Sequence, residues 1–367
     1  MKVLHFILGK ANKDRANGVN QMIAGLAKYS VRQGAEVRVI GKAESVEYQG
    51  EIIVRDGFAV EAYSGWGKPL RTSLERDIKW ADIVHLHGVY STWNLLVARM
   101  CRKANRPYLI TLHNGLSPES ARVSGRLKKK VFHALLQRRH LESAGGIHVL
   151  TEEETTDLYA VAQPRNVFCI PNGIDLEDYP LLEKRSFTTT SSVTIGYLGR
   201  LSAEKNIDAL CEAFVNVNTG GRMQLKLAGP PSDYGNSIKK RYSKDRVELV
   251  GPVYGTDKDQ FIRDLDLFVI PSLSEGFSIA VAESLALRTP LLVSRTSKMA
   301  HLYDQRAFFM CEPTKFGLEQ GLRLALSRCG EWESMADNGR RLIEERLNWC
   351  AVATEMLKAY DRTKGKC

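Results

Sequence analysis

The stretch Asp266–Pro290, DLFVIPSLSEGFSIAVAESLALRTP, constrains this chain more than any other. Leu267–Ile270 is an apolar run of strand length, and Pro271-Ser272 ends it. A polar turn, Ser274-Glu275-Gly276, then opens a helix that runs through Leu287 and stops before Pro290. Strand, sharp turn and helix in this order put the backbone N–H groups of Gly276, Phe277 and Ser278 at a helix start. There, unpaired donors and the positive dipole end favour an anion. Glu275 stands at the mouth of the turn and Glu283 eight residues on. Eight residues is slightly more than two turns, so both carboxylates are expected on one side of the helix. A phosphate cradle flanked by two acceptors of hydroxyl hydrogen bonds suits a sugar nucleotide. A strand–turn–helix with two surface glutamates is also an ordinary piece of any α/β domain, and only the rest of the chain separates the two readings.

At 367 residues the chain exceeds a typical single core and implies two domains. Its 44% hydrophobic and 26% charged residues are those of a globular protein. The seven cysteines are scattered without a Cys-x-x-Cys pair, as expected of reduced thiols in a cytoplasmic protein. The opening MKVLHFILGK reads as a first strand rather than a signal peptide, and no apolar run is long enough to span a bilayer. The net charge of +10 is uneven: residues 1–170 carry 25 basic and 16 acidic side chains, the remainder 27 and 26. Between Arg99 and Arg139 eleven basic residues face one acidic residue, Glu119. An excess this local points to an anionic partner for one domain only.

Taken in order, Lys2–Leu8 is a buried strand, Met22–Gln33 a helix ended by Gly34, and Glu36–Ile40 the next strand, a βαβ start. Gly18 lies in the polar loop between the first two, where a glycine allows close approach of a ligand. No Gly-x-Gly-x-x-Gly is present, which argues against a dinucleotide-dependent oxidoreductase. Asp82–His87, DIVHLH, and Pro107–Leu112 are two more strands. Ligands of open parallel sheets collect at such strand ends. His85 reads as a packed histidine, His87 is open between packing and function, and His113, between a strand and a glycine turn, reads as a site residue. Two histidines without a carboxylate at ligand spacing make a poor metal site.

The basic segment RLKKKVFHALLQRR, Arg126–Arg139, has apolar residues at helical spacing. Lys128, Lys129, Lys130, Arg138 and Arg139 fall on its other faces, which suits docking to an anionic membrane surface. Nucleic acid is not the expected partner, because interleaved aromatics and zinc-finger spacing are missing. Gly146–Thr151 and Asn166–Pro171 are further strands, and the polar segment between Asn172 and Ser192 is the expected linker. The alternation restarts with strand Val193–Leu198 and the turn Gly199-Arg200-Leu201. Ser202 then caps a helix that holds Lys205 and continues through Phe214. Gln224–Leu227 and Val247–Val250 are strands leading to the opening unit. Asp264-Leu265-Asp266 has the form of a metal-binding Asp-x-Asp, but Asp266 abuts a buried strand and is expected to serve packing.

These segments together resemble glycosyltransferase family 4, the glycosyl transferases group 1. The matching stretches are the loop at Gly18, DIVHLH, TLHNG, PNGID, GYLGRLSAEKN, LAGP, VELVGPV and PSLSEGFSIAVAESLA, in the family's order. The resemblance implies an α/β GT-B fold: two Rossmann-like domains facing a cleft, with a C-terminal helix crossing back to the first. The corresponding segments are an acceptor domain over residues 1–172, a linker over 173–192, a nucleotide-sugar domain over 193–345 and a crossover helix within 346–367. Arg200 and Lys205 are implied to hold the donor diphosphate, and Glu283 the ribose hydroxyls. Glu275 is implied to meet the donor sugar, with the amides of Gly276, Phe277 and Ser278 on phosphate or sugar. His113 is implied to approach the sugar and Gly18 the diphosphate. The family often has paired glycines in that last loop, where this chain has Asn17-Gly18.

The expected activity is that of a retaining transferase moving a hexosyl group from a nucleotide sugar, a UDP-hexose first and a GDP-sugar second. The acceptor is a lipid-linked saccharide of envelope or extracellular polysaccharide synthesis, and the enzyme lies at the inner face of the cytoplasmic membrane. No cofactor and no metal are expected, since two fixed cations already face the diphosphate. A soluble small-molecule acceptor, or sugar-nucleotide binding without transfer, are the competing readings.

Overall fold

The computed structural model describes residues 1–9, 18–42, 49–116, 136–181, 192–273, 277–297 and 306–365. It divides into two units, Met1–Gly173 with Trp349–Cys367, and Ile174–Asn348. Both are built on largely parallel sheets whose central strands are buried along most of their length. Such strands are stable only when helices cover both faces.

The first unit contains eight strands among the described residues. They are β1 (Lys2–Ile7), β2 (Glu36–Lys42), β3 (Ile53–Arg55), β4 (Phe58–Tyr63), β5 (Ile83–His87), β6 (Tyr108–Thr111), β7 (Gly146–Val149) and β8 (Val167–Cys169). Their order is β3-β4-β2-β1-β5-β6-β7-β8, with only the β3–β4 pair antiparallel. The β3–β4 hairpin was not anticipated from sequence. Register sets His5 beside His85, His87 beside Thr111, and Thr111 beside His148. His85 and His87, two apart on β5, share one face of the sheet.

In the second unit β9 (Val193–Leu198), β10 (Met223–Ala228), β11 (Val247–Gly251), β12 (Leu267–Ile270), β13 (Leu291–Ser294) and β14 (Phe309–Cys311) form an all-parallel sheet in the order β11-β10-β9-β12-β13-β14. The strand order reverses between β9 and β12, so the loops that leave these two strands diverge and open a crevice at their carboxyl ends. Residues 174–181, within the stretch expected as a linker, pack with this unit. Ile174 and Tyr179 join its core, and the buried Arg340 donates to Tyr179 O (2.7 Å) and Ala286 O (2.9 Å). Residues 182–191 lie outside the described residues.

Two local expectations are corrected. The helix capped by Ser202 is instead a single 3-10 turn, Ala203–Lys205, ended by Asn206 in the left-handed region (φ 58°, ψ 34°). The α-helix begins at Ile207 and runs to Val217, and Ser202 makes no side-chain cap. The helix after β12 spans Ile279–Ala286, with Ser278 as its N-cap residue. The described helix thus starts later than expected, and Glu275, whose shared face with Glu283 was expected, lies outside the described residues.

The last helix, Trp349–Lys364, belongs to the first unit and lies on helix Gly18–Arg32. Gly25 makes this contact possible: a Cβ there would come within 2.2 Å of Cε2 of Trp349, itself only 6% exposed. A buried indole cannot swing away cheaply. Gly25→Val should therefore cost about 1–3 kcal/mol by overpacking, read as a lower midpoint of chemical denaturation. An unchanged midpoint would show that the helix pair has room to separate.

Candidate active site

In the second unit the loop after β9 is fastened on three sides. Tyr197 Oη donates to the carbonyl of Arg200 (3.0 Å). A Cβ on Gly229 would lie 2.1 Å from Gly199 O, so the loops after β9 and β10 touch backbone to backbone, which only glycine permits. The Asn206 side chain donates to Pro271 O (3.0 Å) and Pro313 O (2.8 Å), and the Leu273 amide donates to Glu204 O (3.0 Å). Arg200 and Lys205 are thus held against the carboxyl end of β12, where the strand order reverses. The Arg200 side chain is 72% exposed and pairs with Glu204 at 3.0 Å. An exposed pair of this kind is worth about 0–1 kcal/mol, so breaking it costs little.

Past β12, Phe277 is half-buried and Ser278 buried, and the Ser278 hydroxyl does not cap the helix it precedes. Glu275 and Gly276 lie outside the described residues. Glu283 is 7% exposed and is not solitary: its Oε1 accepts from Tyr179 Oη (2.9 Å) and Lys258 Nζ (2.6 Å). Burial alone would lower the Lys258 pKa, but the carboxylates of Glu283 and Asp259 outweigh it and raise the value above the ordinary one. Burial and then Glu283 push the Tyr179 hydroxyl upward, so it stays a donor. Sequence reasoning missed both partners. Tyr179 fell within the expected linker, and Lys258 lies in helix Gly255–Arg263, GTDKDQFIR, which carries no motif. Asp266 Oδ2 accepts the Thr194 amide (2.8 Å) and its own amide donates back to Thr194 O (2.8 Å), while Asp264 Oδ1 accepts from Gln260 (2.7 Å). These carboxylates join β12 to β9 and end a helix, as expected of a packing role.

In the first unit Gly18 is the exposed first residue of its helix. His113 and Asn114 both adopt positive φ, 50° and 60°. Two consecutive non-glycine residues there need support from outside. Glu154, 2% exposed, supplies it by accepting the amide of Asn114 with one carboxylate oxygen and that of Leu150 (2.6 Å) with the other. His113 Nε2 meets His87 Nδ1 at 3.1 Å, and His87 Nε2 meets His5 Nδ1 at 3.0 Å. Beside this row, His85 contacts Tyr360 Oη (2.7 Å) and Thr111 Oγ1 (2.6 Å). Thr111 Oγ1 in turn meets His148 Nδ1 (2.8 Å), and His148 Nε2 meets Ile170 O (2.7 Å). His85 is therefore a packed histidine, and His87 links the interior to His113. Of the basic patch, Arg138 and Arg139 are exposed, Arg138 pairing with Glu142 at 2.8 Å; Lys128, Lys129 and Lys130 lie outside the described residues.

Nitrogens of His5, His85 and His87 lie close enough together to suggest a metal cage. Their donor set does not fit one. Both nitrogens of His85 and both of His87 are committed to other groups, leaving one ligand atom, Nε2 of His5, where a stable site needs three or four. Burial keeps these rings neutral: His5 and His113 are lowered to about 3, His148 to about 4, and His85 and His87 well below the usual value. In the unfolded chain they titrate near 6.5, so between that value and about 3 the unfolded state binds the extra protons. Each such histidine lowers stability by up to about 1.4 kcal/mol per pH unit as pH falls through that window. Denaturation midpoints at pH 7.5 and 5.5 should differ accordingly, and His148→Gln should reduce the difference; equal midpoints would mean the rings charge in place.

The same architecture recurs in known proteins. Residues 16–178 match the family model described as Glycosyltransferase Family 4, and residues 192–326 the model described as Glycosyl transferases group 1. One component of the human phosphatidylinositol N-acetylglucosaminyltransferase is 27% identical over 223 residues, covering 58% of this chain and 44% of that protein. An uncharacterised glycosyltransferase of Methanocaldococcus jannaschii is 24% identical over 364 residues, 92% of each protein. The GDP-mannose:cellobiosyl-diphosphopolyprenol alpha-mannosyltransferase of Xanthomonas oryzae is 26% identical over 268 residues, covering 71% of this chain and 63% of that one. Anabaena HepE, solved with UDP, shares the fold with a TM-score of 0.77 at 16% identity, covering 98% of this chain and all of that one. One family model lies over each of the two parallel sheets, and the HepE fold extends across both: this protein is a glycosyltransferase of the family 4 type with the GT-B fold.

Proposed function

We propose that the chain transfers a hexosyl group, with retention of anomeric configuration, from a UDP-sugar to a lipid-linked saccharide. The observation that carries the donor reading is the fastening of the Arg200–Lys205 loop to the end of β12 at the reversal of strand order. Two cations held there suit a diphosphate whose negative charge grows as the glycosidic bond breaks. Glu283, oriented by Lys258 and Tyr179, suits the ribose hydroxyls; Glu275 and the amides of Gly276, Phe277 and Ser278 suit the sugar and phosphate. HepE, solved with UDP, supports a uridine nucleotide, while the Xanthomonas relative's GDP-mannose keeps a GDP-sugar as the competing donor.

In the transfer step the bond from the sugar's anomeric carbon to the diphosphate oxygen breaks as the acceptor hydroxyl oxygen bonds that carbon from the same face. The hydroxyl proton passes to the departing phosphate oxygen. This route needs no pair of enzymic nucleophile and acid/base carboxylates of the kind glycosidases use. On the family resemblance, His113 is assigned to the sugar and Gly18 to the diphosphate. Since Arg200 and Lys205 neutralise the leaving group, a divalent ion is not required, and activity should survive EDTA; loss of activity restored by Mg²⁺ would overturn that.

Named relatives act on phosphatidylinositol and on a diphosphopolyprenol-borne sugar, which supports a membrane-borne acceptor here. Among the described residues no helix is long and apolar enough to cross a membrane. A peripheral position at the inner face of the cytoplasmic membrane then rests on the basic patch of Lys128, Lys129, Lys130, Arg138 and Arg139.

Three measurements test these assignments. Thermal shifts against UDP-glucose, UDP-N-acetylglucosamine and GDP-mannose should rise most with a uridine nucleotide, and stabilisation by GDP-mannose alone would reassign the base. Arg200→Ala and Lys205→Ala should each lower kcat by about 10²–10³, the loss typical of one donor to developing negative charge; near-normal turnover of both would remove them from the diphosphate. Cosedimentation with vesicles should require anionic lipid, and indifference to lipid charge together with transfer to a soluble sugar would favour a soluble acceptor.

A further inference from the structure

Three imidazoles stand in a row inside the first unit. His5 lies on β1, His87 at the end of β5 and His113 just beyond β6; neighbouring rings are 5.3 Å apart, with planes inclined by 23° and 30°. Each neutral ring carries one N–H and one bare nitrogen. Three rings therefore bring three N–H groups, of which two fill the hydrogen bonds between rings. The third must stand at one end, on Nε2 of His5 or on Nδ1 of His113.

The two ends differ. His5 is fully buried, and its Nε2 has no hydrogen-bond partner. The adjacent ring of His85 cannot help, because Tyr360 and Thr111 occupy both of its nitrogens. A proton on Nε2 of His5 would strand a donor in the interior, and orphaned buried N–H groups are the rarer kind of unsatisfied polar group. His113 is only half-buried and sits past the carboxyl end of β6, where water or a ligand oxygen can accept. Placing the third proton there keeps both ring-to-ring bonds and leaves a bare nitrogen, rather than a donor, inside.

We propose that His5 and His87 are positioning residues that hold His113 in its Nδ1–H tautomer, so that His113 presents a hydrogen-bond donor to an oxygen of the bound sugar nucleotide. The row fixes direction as well as identity. His5 donates to His87, His87 donates to His113, and the last N–H points out of the network. The substrate half of this statement rests on the function proposed above; the tautomer half does not.

Long-range proton–nitrogen NMR of the full chain labelled with ¹⁵N-histidine reads the tautomer directly. The expected result is a protonated Nδ1 and a bare Nε2 on His113. His87→Phe keeps the ring's bulk without its nitrogens and should leave His113 as a mixture of tautomers, whereas His87→Asn, whose carboxamide can still donate in place of Nδ1, should preserve the Nδ1–H form. A wild-type His113 protonated at Nε2, or a tautomer unmoved by His87→Phe, overturns the proposal. If His87→Phe does not fold, His5→Phe removes the far end of the row and should give the same mixture. Nucleoside diphosphate release from UDP-glucose, UDP-N-acetylglucosamine and GDP-mannose supplies the kinetic arm. His87→Phe should lower kcat by at least about tenfold and His87→Asn by no more than about threefold. If His113→Ala releases nucleotide at the wild-type rate, its role on the substrate fails, while the NMR result still decides the tautomer.

Discussion

The loops at the carboxyl ends of the second unit's sheet depend on one carboxamide. Asn206 sits in the left-handed region, which asparagine tolerates better than most side chains, and spends both N–H groups on the carbonyls of Pro271 and Pro313. Those carbonyls follow β12 and β14, so a single side chain ties three loops at the carboxyl ends of a parallel sheet. The backbone bond from Leu273 to Glu204 and the close approach of Gly229 to Gly199 complete the joint. Exposed cations are otherwise poor at holding a fixed geometry. Here hydrogen bonds fasten the backbone beneath Arg200 and Lys205, which suits the proposed diphosphate site.

The Glu283 site and the histidine cluster bury polarity by different means. The Glu283 site pairs opposite charges: Glu283 and Lys258 meet at 2.6 Å with the Tyr179 hydroxyl as a further donor, which repays part of the desolvation cost. Around its histidines the first unit removes charge instead, while elsewhere it pairs the buried Asp77 and Glu61 with Arg76. The cluster's five buried or half-buried imidazoles are held neutral and exchange hydrogen bonds with one another, with Thr111 and Tyr360, and with the Ile170 carbonyl. A neutral network of this kind is directional, since each ring must donate at one nitrogen and accept at the other. Glu154 adds the conformational half of the arrangement by clamping the positive-φ turn at His113 and Asn114.

Much of this was legible beforehand. Apolar runs such as LFVI and VTIGYL marked buried parallel strands within a residue or two, because a strand covered on both faces has no polar alternation to blur it. Glu283 was singled out from its place in the segment after β12, and Arg200 and Lys205 through the family resemblance; their roles stand as proposals. The helix expected over 202–214 was not read correctly. Propensity favoured continuity through Lys205, but the carbonyls of Pro271 and Pro313, more than sixty residues away, draw Asn206 out of helical geometry. The helix after β12 likewise starts later than the sequence suggested, at Ile279.

By itself the sequence determined the α/β class, the alternation of strands and helices, and which strand ends carry cations, carboxylates and histidines. Those follow from periodicity and spacing, which are local. Only the tertiary structure decided the partners: Tyr179 and Lys258 on Glu283, Glu154 under Asn114, and the row from His5 through His87 to His113. Each of these contacts joins residues 25 to 104 positions apart. Strand order and register set such distances, and no local pattern in the chain encodes them.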